Sequence, residues 1–133
     1  AFANSPVAAV HALAYPIGGT FHVPHGLSNA LVLPHVLAFN NAVAAPTYAE
    51  LAPALFPDLI DLASADERAD AFAKRLAALT EKLGLQTRLS EVGISEKDLP
   101  KMASDAMKQT RLLVNNPREV TETDAFNIYA AAL

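Results

Sequence analysis

The 133-residue sequence predicts an all-α fold of about five to seven helices in a single domain, residues 1–133. Two observations carry this prediction. No stretch alternates apolar and polar residues over more than a few positions, as a half-buried strand would. Helix start signals, in which Ser or Thr precedes an acidic residue by three positions, recur along the chain and introduce segments with apolar residues at helical spacing.

The first predicted helix begins at Ser5, an N-cap candidate, with Pro6 at the first helical position. The apolar run VAAVHALAY follows. We expect Pro16 and the pair Gly18-Gly19 to end this helix, because proline lacks an N–H and glycine favours termini. A turn or extended connector should then lead to Pro24.

A second apolar run, GLSNALVLPHVLAFNNAVAA, begins after His25 and is long enough for a buried helix. Pro34 should kink or restart this helix. Thr47 and Glu50 have the spacing of a capping box, which predicts a further helix start.

The signals in the second half are more regular. Ser64 and Glu67 form a capping-box pattern ahead of a long amphipathic run. Gly84 stands where a C-terminal glycine ends a helix, and Leu85 follows as its expected apolar contact. The apolar stripe of this run is predicted to contain Phe72, Leu76, Leu79 and Leu83.

Two further start signals carry Asp in the fourth place. They are Ser95 to Asp98 and Thr121 to Asp124. Each is expected to open a helix of about a dozen residues.

Charge is distributed unevenly along the chain. Residues 1–49 contain no Asp, Glu, Lys or Arg, and the 10 basic and 14 acidic residues all lie from Glu50 onward. A bilayer span needs about 20 consecutive apolar residues. Proline, glycine and histidine interrupt every candidate, so we expect no membrane segment. The uncharged half should instead be buried in protein, either within this domain or against a surface that this sequence does not include.

The overall composition excludes other classes. A net charge of −4 and a pI near 5.4 argue against a nucleic-acid-binding surface. The absence of cysteine excludes disulfides and thiolate metal ligands. Neither a nucleophile elbow nor a glycine-rich phosphate loop occurs.

All four histidines lie in the uncharged half, at positions 11, 22, 25 and 35. His11 and His25 are fourteen positions apart, so only a helix with a returning connector would bring them together. Two imidazoles are too few for a tight divalent site. From the residues alone, a shared metal site and ordinary part-buried histidines both remain open.

The stretch HALAYPIGGTFHVPHGLSNALVLPHVLAFN resembles a segment of the iron-containing (group III) alcohol dehydrogenases. The shared pattern is a histidine, 13 residues, His-Gly, an asparagine three residues after the glycine, then Leu-Pro-His-Val and an asparagine that closes the helix. The segment MKQTRLLVNNPREVTETDAFNIYAAAL is also similar to that family, so the resemblance covers essentially the whole chain.

The resemblance implies the C-terminal helical domain of the iron-dependent alcohol dehydrogenase and dehydroquinate synthase-like fold, without its N-terminal nucleotide-binding domain. His11 and His25 match two metal-binding histidines of the family, and an Asp and a further His, expected shortly before residue 1, would complete the site. The implied cofactors are Fe²⁺, or Zn²⁺, and NAD or NADP.

The resemblance also suggests roles for other residues. Many relatives carry a histidine near the nicotinamide where this chain has Tyr15, which would serve here as a cofactor contact and proton relay. A free tyrosine is a poorer base than histidine at neutral pH, so this relay is in question. His22 would face the substrate. His35 is expected to serve packing.

The implied activity of the parent protein is NAD(P)-dependent oxidation of an alcohol to an aldehyde or ketone, or the reverse. An oxo-acid reductase, such as maleylacetate reductase, and a hydroxyacid-oxoacid transhydrogenase are alternatives on the same architecture. The isolated chain would be inactive, or a helical interaction module. We further expect a cytoplasmic homo-oligomer that binds a small alcohol or aldehyde.

Overall fold

The computed structural model describes residues 8–133, and within them it confirms the all-α prediction. This part of the chain contains six α-helices and no strand. The helices are α1 Ala9–Phe21, α2 His25–Leu55, α3 Ala65–Lys82, α4 Leu99–Met107, α5 Thr110–Leu113 and α6 Glu122–Ala132. Short 3₁₀ helices span Pro57–Asp61, Leu89–Val92 and Glu96–Asp98. The predicted start at Ser5 and Pro6 lies outside the described residues.

Helix α1 does not end where the sequence predicted. It continues through Pro16 and both glycines to Phe21, and His22 is its C-cap. Leu13 and Ile17 on this helix are fully buried in the main core. Burial of that apolar face outweighs the hydrogen bond that proline removes, which is why the local stop signals fail.

Helix α2 is one continuous helix of 31 residues, so the start predicted at Thr47 is wrong. Asn40 does not close a helix either, because it lies in the middle of α2. Pro34 does not restart the helix. Packing of α2 against α1, α3 and α6 along its length compensates for the hydrogen bonds lost at its prolines.

The prolines inside α1 and α2 share a local pattern. A proline ring crowds the carbonyl of the residue four positions earlier and offers it no N–H. In every case that earlier residue is alanine, whose small side chain leaves room for the carbonyl to tilt. The pairs are Ala12 with Pro16, Ala30 with Pro34, Ala42 with Pro46, and Ala49 with Pro53.

By length and composition alone, α2 is the one helix among residues 8–133 that could cross a membrane. The central helix of a helical domain meets the same criteria. Here α2 packs on three other helices, and 39% of its most apolar window is buried within the domain.

The main core joins α1, the first half of α2, α4 and α6. Tyr129 of α6 is fully buried there, and its hydroxyl donates a hydrogen bond of 2.7 Å to the Leu13 carbonyl of α1. Burial, followed by the Asp105 carboxylate, raises the pKa of Tyr129, so the hydroxyl stays protonated and remains a donor. This bond ties the last helix to the first. A second, smaller core lies between the later part of α2 and α3.

Two segments that carry the family resemblance meet in space. Asn40 of α2 is 3% exposed, and its side-chain amide exchanges two hydrogen bonds, of 3.0 and 2.8 Å, with that of Asn116. Arg118 donates to the Phe39 carbonyl at 2.9 Å and stacks its guanidinium 4.0 Å from the centre of the Phe39 ring. The NNPR segment therefore fastens the loop before α6 to the middle of α2.

The start signals of the second half are confirmed. The acidic side chain accepts the backbone N–H of the Ser or Thr in all three pairs, Ser64–Glu67, Ser95–Asp98 and Thr121–Asp124, at 3.0, 2.9 and 3.0 Å. Ser95 first opens a 3₁₀ turn that leads into α4. These local contacts needed no tertiary partner, which explains why the sequence predicted them.

The end of α3 is partly as predicted. Gly84 has a φ of 69°, the left-handed conformation that favours glycine there. The predicted apolar stripe is buried only in its first half, since Phe72 is 7% exposed whereas Leu79 and Leu83 are 47% and 66% exposed. Leu85 is also 44% exposed.

The real and the false capping signals can be compared directly. We expect Ser64→Ala to lower the free energy of unfolding by about 1 kcal/mol, because it removes the cap of α3. Thr47→Ala should change it by no more than about 0.5 kcal/mol, because Thr47 is exposed in mid-helix. Urea unfolding measures both. Equal losses in the two variants would contradict this assignment.

Candidate metal centre

The histidine pair lies where α1 and α2 meet. His11 is in the first turn of α1, and His25 is the first residue of α2. About ten residues of helix carry the chain roughly 15 Å away from His11 before the connector begins. The connector of residues 22–24 then returns the chain, so that α2 starts beside the beginning of α1.

Three features hold this connector against α1. His22 adopts the left-handed conformation with a φ of 56°, and its N–H donates to the Gly18 carbonyl at 3.1 Å. The Val23 carbonyl oxygen packs over Gly18, and lies 3.4 Å from the place that a Cβ would take there. The buried Ser28 hydroxyl lies 3.2 Å from the Val23 carbonyl and 3.1 Å from that of Pro24.

The imidazoles of His11 and His25 are direct neighbours. Their ring centroids are 5.3 Å apart and the ring planes are tilted by 53°. An imidazole nitrogen lies about 2.0–2.1 Å from a bound zinc ion, and two such rings at a tetrahedral angle have centroids roughly 5 Å apart. The observed separation therefore fits two rings that share one cation.

The electrostatics of the pair also suit a cation. Burial lowers the pKa of His11, and the nearby His25 lowers it further, so His11 loses its proton more readily than a free imidazole. Metal ligation requires the unprotonated ring. Within residues 8–133, no three His, Asp or Glu side chains cluster closely enough to hold a metal ion. Within these residues the pair therefore offers two imidazole donors, which are too few for a tight divalent site.

Tyr15 lies within α1, and His22 is the C-cap of this helix. Tyr15 follows His11 by one helical turn, which places the two residues on the same side of α1, and it is 55% exposed. His22 is exposed at the connector. Neither side chain forms a hydrogen bond within the described residues. The Tyr15 hydroxyl and the His22 ring nitrogens are therefore available to groups outside this chain.

His35 is not part of the pair. It lies ten residues, or about 15 Å, further along α2 and is partly buried, and this burial lowers its pKa. It lines a cavity of about 430 Å³ between α2, α3 and the end of α6. His11 and His25 do not line this cavity, so the cavity and the histidine pair are separate.

Asn29 belongs to the family pattern in the sequence, but no role was predicted for it. Its amide nitrogen lies 3.1 Å from Nε2 of His25, whereas its amide oxygen is buried without a hydrogen-bond partner. The spacing of four residues on a helix that begins at His25 is the signal that could have revealed this contact.

Comparison with known proteins identifies the family. Residues 1–133 match the family model described as Fe-containing alcohol dehydrogenase family, C-terminal. The sequence is 37% identical over 132 residues to long-chain-alcohol dehydrogenase 1 of Geobacillus thermodenitrificans, covering 99% of this chain and 33% of the relative. It is 30% identical to lactaldehyde reductase of Escherichia coli K12, covering 98% of this chain and 34% of that protein.

Solved structures give the same result. The fold matches an alcohol dehydrogenase from Oenococcus oeni with a TM-score of 0.92 and 30% identity, over 99% of this chain and 34% of that one. The chain therefore spans about a third of the length of the relatives that it matches.

The left-handed backbone at His22 can be tested separately from its side chain. His22→Gly should be more stable than His22→Ala by about 1 kcal/mol, because only glycine adopts this conformation without strain. At Thr20, which is helical and exposed, the order should reverse, since alanine favours a helix by up to about 1 kcal/mol over glycine. Thermal unfolding of the four variants gives the result, and the same order at both sites would contradict the assignment.

Proposed function

The chain belongs to the Fe-containing alcohol dehydrogenase family as its C-terminal helical domain, and we propose that the parent enzyme interconverts a neutral alcohol and its aldehyde or ketone with NAD or NADP. The observation that carries this proposal is the pair His11 and His25, with ring centroids 5.3 Å apart. The part of the parent that this chain does not contain supplies the remaining metal ligands and the nucleotide site.

His11 and His25 hold the metal as neutral imidazoles, which are good ligands for Fe²⁺ and Zn²⁺. The lowered pKa of His11 favours this form. When bound, the metal supplies a Lewis acid that makes an alcohol hydroxyl more acidic. The short connector and the buried Ser28 keep the two rings at a fixed separation, so little ordering is needed when the metal binds.

Tyr15 passes a proton between the substrate hydroxyl and solvent. It is more than half exposed and lies one helical turn from His11, so its hydroxyl can reach both a bound substrate and water. A tyrosine at this place also offers a flat face on which the nicotinamide of the coenzyme packs. His22, exposed at the connector, contacts the substrate from the opposite end of α1.

The charge pattern favours a neutral substrate. Residues 1–49, which include the whole site described above, contain no Lys or Arg. A carboxylate substrate would need a cation to pair with. An oxo-acid reductase or a hydroxyacid transhydrogenase would have to take that cation from outside this chain, and these are the alternative functions.

The proposed metal role of His11 and His25 predicts a loss of metal affinity when either ring is removed. In the full-length enzyme, His11→Ala or His25→Ala should weaken metal binding by more than about 100-fold, because removing a direct ligand costs more than removing its support. His35→Ala on the same helix serves as the control and should leave the affinity within about threefold. Chelator competition gives the affinities. Retained binding in His25→Ala would overturn the proposal.

The proton relay predicts a graded response at Tyr15. Tyr15→Phe should lower kcat for alcohol oxidation by about tenfold or more, because the hydroxyl is lost while the ring remains. Tyr15→His should recover most of that loss at neutral pH. Steady-state kinetics with a primary alcohol and with a 2-hydroxy acid test both the relay and the substrate class. An unchanged kcat in Tyr15→Phe would rule out the relay.

A further inference from the structure

Asn29 shares a helix face with His25. It follows that residue by four positions on α2, and its amide nitrogen lies 3.1 Å from the ring nitrogen Nε2. His25 is exposed whereas Asn29 is partly buried, so the amide approaches the ring from the protein side. Among the described residues, this amide makes the one hydrogen bond found for the His25 ring.

The Asn29 amide has a hydrogen-bond partner for its nitrogen but none for its oxygen. Its oxygen is buried and accepts no hydrogen bond, a condition that costs about 1–3 kcal/mol. The oxygen and nitrogen of an asparagine amide are distinguished only by their hydrogen bonds. A half-turn of the amide exchanges the two atoms and moves no backbone, so either atom can face His25.

Which amide atom of Asn29 faces His25 decides whether a ring nitrogen remains free to bind a cation. A neutral imidazole has one N–H and one lone pair. If the amide donates to Nε2, the only lone pair is occupied and no ring nitrogen remains for a cation. If the amide oxygen accepts an N–H of the ring instead, the other nitrogen keeps its lone pair. Histidine ligands of metals almost always donate their second N–H to an oxygen in this way.

We propose that Asn29 is a positioning residue of the metal centre: its amide oxygen accepts the ring N–H of His25 and thereby directs the remaining lone pair toward the cation. This inference rests on the proposed function, since it assumes that His25 binds metal. It adds a residue outside the set of ligands, and it gives the Asn29 amide oxygen, which is unpaired in the present orientation, a hydrogen-bond donor.

The test uses the full-length enzyme and Zn²⁺, with affinity measured by chelator competition and the metal-free protein followed by thermal unfolding. Asn29→Leu keeps the size of the side chain and removes the hydrogen bond. It should weaken Zn²⁺ binding by about 10- to 100-fold. Asn29→Asp presents a carboxylate oxygen to the ring N–H and should bind Zn²⁺ at least as tightly as the wild type.

A matched control separates this role from general stability. Asn41 is another partly buried asparagine of α2, and its amide bonds Asp70 at 2.6 Å, far from the pair. Asn41→Leu should lower the unfolding temperature of the metal-free enzyme as much as Asn29→Leu does, yet leave Zn²⁺ affinity within about twofold.

The outcomes are distinguishable. Loss of affinity in Asn29→Leu with recovery in Asn29→Asp supports the proposal. If His25→Ala abolishes Zn²⁺ binding but Asn29→Leu does not weaken it, Asn29 has no positioning role and the proposed function stands. If His25→Ala leaves Zn²⁺ binding intact, the proposed function itself fails. Equal losses in Asn29→Leu and Asn29→Asp would overturn the oxygen-acceptor arrangement.

Discussion

The return of the chain between α1 and α2 is the constraint on which the site depends. Two rings fourteen positions apart meet only because three connector residues bring the start of α2 back beside the start of α1. The Val23 carbonyl packs over Gly18, and the Ser28 hydroxyl lies within hydrogen-bond distance of the Val23 and Pro24 carbonyls. The left-handed conformation of His22 is the strained point of this turn, and the buried faces of both helices compensate for that strain.

The sequence predicted the second half of the fold better than the first, for a physical reason. Ser64, Ser95 and Thr121 cap their helices through residues three positions away, so the information is local. In the first half, Pro16 and Pro34 are local stop signals that tertiary burial overrides. A single sequence does not state how much apolar surface a later helix such as α6 will cover.

In the candidate site too, local contacts could be predicted from the sequence, whereas features that depend on the fold could not. The spacing of His11 and His25 allowed a shared site but did not require one, and the family resemblance supplied the choice between the alternatives. The contact of Asn29 with His25 follows from helical geometry once α2 is known to begin at His25. The left-handed backbone at His22 carried no sequence signal, because histidine at such a position is uncommon.

The four alanine-proline pairs make α1 and α2 mechanically compliant. Each proline removes one backbone hydrogen bond of its helix. The alanine four positions earlier offers little steric resistance to a change of helix curvature. The two helices can therefore bend at several points without unwinding. Because Pro34, Pro46 and Pro53 all lie beyond His25 on α2, bending at these three points leaves the separation of the two rings unchanged.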